Sequence, residues 1–79
     1  MTFGEPAPGS GSVPHEEHYG NGGIKLRGAH RDGEMDGPWE FFRTDGSMMR
    51  SGTFDRGRQI GIWRTYDRTG RIVKETDFG

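Results

Sequence analysis

From Ile24 onward, hydrophobic and polar positions alternate with a period of two. Ile24, Leu26, Gly28 and His30 point one way while Lys25, Arg27, Ala29 and Arg31 point the other, the pattern of a half-buried strand. Asp32-Gly33 follows, a dipeptide that supplies positive φ in a tight hairpin turn. A second strand is predicted over Pro38-Trp39-Glu40-Phe41-Phe42, with Pro38 at its first residue because proline has no N–H to donate to a ladder. The same succession then returns, with Arg56-Gly57 at the turn and Ile62-Trp63-Arg64-Thr65-Tyr66 as the strand. Asn21-Gly22, Asp45-Gly46 and Thr69-Gly70 close the opposite ends of the hairpins, so Gly22, Gly33, Gly46, Gly57 and Gly70 are the predicted turn glycines. Alternation puts Trp39, Phe41 and Trp63 on one face and Phe42 and Tyr66 on the other.

The recurrence has a period of 24 residues. Gly22, Gly28, Gly33, Gly37, Trp39 and Gly46 fall on Gly46, Gly52, Gly57, Gly61, Trp63 and Gly70, with Phe42 on Tyr66 and His30 on Phe54. A partial third copy sets Ile72 beneath Met48 and Phe78 beneath Phe54. Periods in this range mark arrays of small units, each unable to bury its own apolar face. The predicted fold is all-β: a single-layer antiparallel β-meander of about five strands, built from hairpin repeats. Glycine interrupts every window long enough for a helix. Gly28, Gly37, Gly52 and Gly61 occupy strand positions, where bare backbone leaves room for a cross-strand aromatic.

Composition limits how such a sheet is held. The chain has 79 residues, 28% of them apolar, 15 glycines and no cysteine, so the core is thin and neither disulfides nor thiolate metal sites can staple it. One layer cannot bury aromatic residues on both faces, and help from a partner or from a second copy, a homodimer, is expected. Residues 1–14, which hold three of the four prolines and a Gly-Ser-Gly-Ser run, read as a flexible tail, and residues 15–79 as the repeat domain. The start lacks the basic and apolar regions of a secretory signal, and no stretch has the roughly 20 apolar residues needed to span a bilayer. A cytoplasmic location is expected.

Charge speaks against a nucleic-acid partner. Residues 19–79 carry all 11 basic residues against nine acids interspersed among them, too small an excess for an electrostatic footprint. His15-Glu16-Glu17-His18 superficially matches zinc motifs, but those need histidines four apart on a helix, and positions three apart on a strand face opposite sides. A solvated polar segment is the expected reading. His30 occupies a column filled elsewhere by Phe54 and Phe78, which predicts a structural, partly buried ring. Ser47 and Ser51 lie in turn and strand columns with no orienting acid motif, so no nucleophile is identified. No catalytic residue, metal ligand or cofactor is expected.

The pattern N/D-G-x-I/M, then x-G-x-H/F-x-x-G-x-x-x-G-x-W-x-x-F/Y, resembles the MORN repeat (membrane occupation and recognition nexus), in particular its longer bacterial variant. The resemblance covers about residues 19–79 and rests on the Gly, Trp and aromatic columns. It implies an elongated single-layer β-meander and a non-enzymatic protein–protein interaction module, and some bacterial members are classed as antitoxin or immunity components. The expected anchors for a protein partner are Trp39, Phe41, Phe42, Trp63, Arg64 and Tyr66, aromatics rimmed by arginine as in interface hot spots. The alternative implied by the family name is phospholipid or membrane-surface binding, which requires a more concentrated basic face than this chain offers.

Overall fold

Strands and turns make up residues 11–79, the part of the chain that the computed structural model describes. The elements are β1 (Ser12–His18), β2 (Ile24–Arg31), β3 (Glu34–Met35), β4 (Gly37–Phe42), β5 (Met48–Asp55), β6 (Arg58–Tyr66) and β7 (Ile72–Asp77). They form one antiparallel sheet in the order β1-β2-β4-β5-β6-β7, with β3 also paired to β2. The predicted single-layer meander is therefore observed, and its smallest extent is 16 Å.

Two strands exceed the expected count. β3 and β4 are one strand interrupted at Asp36, whose N–H turns to the Ala29 carbonyl at 3.0 Å. β1 is a full edge strand, paired with β2 from Ser12↔Arg31 to Glu17↔Leu26. It begins inside the segment read as a tail, and residues 1–10 of that segment lie outside the described residues. The signal for β1 was present in the repeat: 24 residues before Pro38-Trp39 stand Pro14-His15, so β1 is the second strand of a copy that precedes the first. Loss of the tryptophan from that column hid it.

Turn chemistry follows the sequence. In the two-residue turns, Asp32 and Gly33 have φ of 52° and 81°, and Arg56 and Gly57 have 51° and 85°. An arginine in the left-handed region costs about 1–2 kcal/mol relative to glycine sterics, so the second turn is strained where the first uses a better-suited aspartate. At the opposite edge, Tyr19–Gly23, Arg43–Ser47 and Asp67–Arg71 are five-residue turns of one design. In each, the first residue's N–H bonds the fifth residue's carbonyl at 2.8–2.9 Å, and the fourth residue is a glycine at φ of 90° or 91°. Asn21 Oδ1 and Asp45 Oδ1 accept the N–H groups of Gly23 and Ser47, the fifth residues of their turns; in the third turn Asp67 Oδ1 takes over this role, accepting from Arg71 and also from Thr69.

The core is two side chains. Trp39 and Trp63, 1% and 4% exposed, are the buried residues among those described. Each indole lies flat on a glycine of the preceding strand: a Cβ added at Gly28 would stand 2.2 Å from Trp39 Cδ2, and one at Gly52 only 2.0 Å from Trp63 Cδ2. Each indole N–H then reaches past that glycine to donate to a carbonyl, Ala29 or Thr53, at 3.1 Å. Truncating such a residue typically costs about 3–5 kcal/mol. Gly37 and Gly61, expected to make room in the same way, do something else. They adopt φ of 81° and 68° with nothing within 4 Å of a Cβ, so they serve the kink of their strand rather than a close approach.

Candidate interaction surface

Strand alternation and register place Trp39, Phe41 and Trp63 on one face and Phe42 and Tyr66 on the other, as predicted; the first face is aromatic, and the second is chiefly polar. On the aromatic face, ring centroids follow one another from β1 to Phe78, just past the end of β7. His15 lies 4.6 Å from His30, His30 5.3 Å from Trp39, Trp39 6.1 Å from Phe54, Phe54 5.0 Å from Trp63 and Trp63 6.5 Å from Phe78. Phe41 bridges the tryptophans at 6.2 and 6.1 Å, and the Arg50 guanidinium covers the Phe41 and Trp63 rings at 5.0 and 5.3 Å. Edge-to-face geometry dominates this ladder, which matches the ring quadrupoles and adds about 0.5–1.5 kcal/mol per pair. His30 is thus a half-buried ring among rings, as its column predicted.

The polar face carries a row of one residue per strand: Glu16, Arg27, Glu40, Ser51, Arg64 and Glu75, placed side by side by the ladder register. Arg27 Nε reaches Glu40 at 2.6 Å and Arg64 Nε reaches Glu75 at 2.8 Å. These exposed pairs are worth little in stability, about 0–1 kcal/mol each, but they fix where charge stands on the surface. Phe42 packs under the Arg27 guanidinium at 5.4 Å, and Tyr66 Oη shares a 3.1 Å hydrogen bond with Ser51 Oγ. An open groove of about 730 Å³ runs along this face, where Pro14, Pro38 and Ile62 flank the charged row.

The turn edge is a second ordered surface. Successive turns bond to one another: Tyr19 Oη donates to the Phe42 carbonyl at 2.7 Å, Asn21 Nδ2 to the Thr44 carbonyl at 3.1 Å, and Arg43 to the Tyr66 carbonyl. Arg68 Nε donates to Asp45 Oδ2 at 2.9 Å. The Asp45 carboxyl is lowered to about 2, first by the Ser47 hydroxyl at 2.6 Å, then by the Ser47 N–H and by Arg68. Asp67 is lowered for the same reason, with Thr69 as its hydroxyl donor. Glu17 is lowered chiefly by its hydrogen bond to His15.

The six anticipated anchors divide. Phe42, Arg64 and Tyr66 belong to the polar face, and Arg64 lines the groove. Phe41 lies on the opposite face, and Trp39 and Trp63 are sealed inside the sheet. The tryptophans thus support the surface rather than form it, because the indole that fits a bare glycine is covered by its own neighbours. Periodicity identifies a repeated aromatic but not whether the next ring covers it. Conversely, the sequence did not single out Glu16, Arg27 and Glu40 as one row; they stand in two columns of the repeat, Glu16/Glu40/Arg64 and Arg27/Ser51/Glu75, and only the register shows that these columns lie side by side.

The two motifs weighed for chemistry are spread over different surroundings. His15 pairs with Glu17 at 2.8 Å and His18 with Glu16 at 3.4 Å. Among the described residues no three His, Cys, Asp or Glu side chains gather in a way that could hold a metal ion. Ser47 Oγ is bonded to Asp45, and Ser51 Oγ to Tyr66. Compared with protein-family models, with curated proteins and with solved structures, the chain matches none.

Proposed function

We propose that this chain is a non-enzymatic protein–protein interaction module of MORN-repeat type, and that the polar face is the surface that receives a protein partner. The observation that carries the reading is the open groove of about 730 Å³, floored by paired Arg and Glu residues and flanked by Pro14, Pro38 and Ile62. Alternating charge with apolar shoulders suits a protein surface, where each paired charge sets register and each apolar group supplies burial. The same pairing disfavours an anionic lipid surface, since the arginines of the row already face carboxylates. The Gly, Trp and aromatic columns support the MORN resemblance, and an antitoxin or immunity role in a bacterial cytoplasm is its most specific version.

Affinity purification with mass spectrometry, followed by calorimetry on the protein captured, tests this. Arg64→Ala combined with Ile62→Asp is expected to weaken binding by about 2 kcal/mol, roughly 30-fold, with the far-ultraviolet circular dichroism unchanged. Equal affinity for the variant and the parent chain refutes the assignment of this face.

A further inference from the structure

We propose that β7 of one copy pairs with β1 of a second copy, so that the sheet continues head to tail with its 24-residue period unbroken. This rests on reading the chain as an interaction module and names one partner, a second copy of this chain. β1 is the second strand of a repeat and β7 the first strand of a repeat, and among the described residues each has a neighbour on one side only. The missing neighbour of each is the kind of strand the other supplies.

The repeat columns at this junction differ from the internal ones in a complementary way. Within the sheet Trp39 lies on Gly28 and Trp63 on Gly52. The next position in the glycine column is Thr76, whose Cβ closes the seat against another tryptophan, and the tryptophan column of β1 holds the smaller His15. A larger seat residue therefore meets a smaller ring, and the two departures compensate. In the ladder of rings, the partner's His15 would stand to Phe78 as Trp63 stands to Phe54 at 5.0 Å, extending the aromatic face from one copy into the next.

Exposure and charge point to the same seam. The exposed large apolar residues are Val13 at 62%, Val73 at 57%, Ile62 at 46%, Ile72 at 45% and Phe78 at 45%, and all except Ile62 belong to or adjoin β1 and β7. Unpaired edge strands with apolar side chains are templates for strand addition. The internal register Leu26↔Phe41 and Arg50↔Thr65 places Lys74 opposite the partner's Glu17, an attractive pair. It also places Glu75 beside the partner's Glu16, a like-charge contact flanked by Arg64 and the partner's Arg27. Because the two edges differ, the contact is heterologous and repeats without closing unless the sheet's twist forms a ring.

Sedimentation velocity of the full chain, from about 10 µM to about 1 mM, tests the seam. The expected result is mass that grows with concentration beyond the dimer. Lys74→Glu or Glu17→Lys alone weakens association about tenfold, the two together restore it, and Glu16→Gln tightens it about two- to fivefold. Circular dichroism establishes that each variant is folded. A monomer throughout the range, a dimer that does not grow, or single charge reversals without effect or without rescue overturns the proposal. A monomer that still captures a protein through Arg64 and Ile62 leaves the preceding reading intact, and assembly without such capture removes that reading alone.

Discussion

Replacing Gly52 by alanine adds one methyl group, and in most strands that change is neutral or favourable, because glycine is a poor strand former. Here the added Cβ would stand 2.0, 2.2 and 2.5 Å from Cδ2, Cε2 and Cγ of Trp63. Ordinary carbon contacts lie at about 3.5–4.0 Å, so the indole must retreat by about 1.5 Å. Overpacking of this kind costs about 1–3 kcal/mol, and the retreat also breaks the 3.1 Å bond from the indole N–H to Thr53, worth about 1 kcal/mol more. The expected loss is about 3 kcal/mol, against a total stability of about 4–12 kcal/mol for a chain of this length. Urea denaturation followed by tryptophan fluorescence reads it directly: with a slope of about 1 kcal/mol per molar, the midpoint falls by about 3 M. Trp63→Phe is costly alone but costs less in the Gly52→Ala background, since the shorter ring no longer meets the methyl, and the coupling in this double-mutant cycle exceeds about 1 kcal/mol. A Gly52→Ala midpoint within about 0.5 M of the parent chain refutes the claim that the bare glycine is the seat of the tryptophan.

Two further outcomes follow from the turns. Arg56 is held at φ of 51°, and Arg56→Asn relieves part of the left-handed strain while keeping the N–H that donates to Asp36 at 3.0 Å; a gain of about 0.5–1 kcal/mol, or about 2–8 °C in Tm by differential scanning calorimetry, is expected. The Asp45 carboxyl titrates near 2 because the folded turn holds its charged form, so its contribution to stability is complete above the ordinary aspartate value of 3.8 and is lost as pH falls through about 2. Carbon-detected NMR titration of Asp45 in the Ser47→Ala variant should give a midpoint moved up toward 3.8, and an unchanged midpoint refutes the Ser47 hydroxyl as the chief cause.

Much of the fold could be read from three kinds of position. Alternation in residues 24–31 and the Asp-Gly and Asn-Gly turns gave strands and connections, and the Trp39/Trp63 column gave the face that packs. What escaped were features in which a residue had left its column. β1 was missed because His15 replaces tryptophan, and the third turn changed partners because Thr69 stands in the Asp45 column while Asp67 supplies the carboxylate. Gly28 and Gly37 are the same letter in the sequence, yet one is pressed by an indole and the other bends the chain; strand register decides between these roles. The groove was illegible for a related reason, since it arises from neighbours on different strands. Residues that form the charged row stand alternately 11 and 13 positions apart, in two columns of the repeat whose side-by-side placement only the strand register shows.

The lean of the tryptophans also sets an order of events along the growing polypeptide. In both copies the glycine precedes its tryptophan by 11 residues, so the platform leaves the ribosome before the ring that lands on it. Trp39 can dock on β2 while β5 is still unmade, and Trp63 then docks on a sheet already present. Contacts this local close quickly and need no distant segment. Synthesis from the amino terminus would therefore extend the sheet hairpin by hairpin, with Trp39 first seated on Gly28 and then closed over by Phe54 once β5 is added.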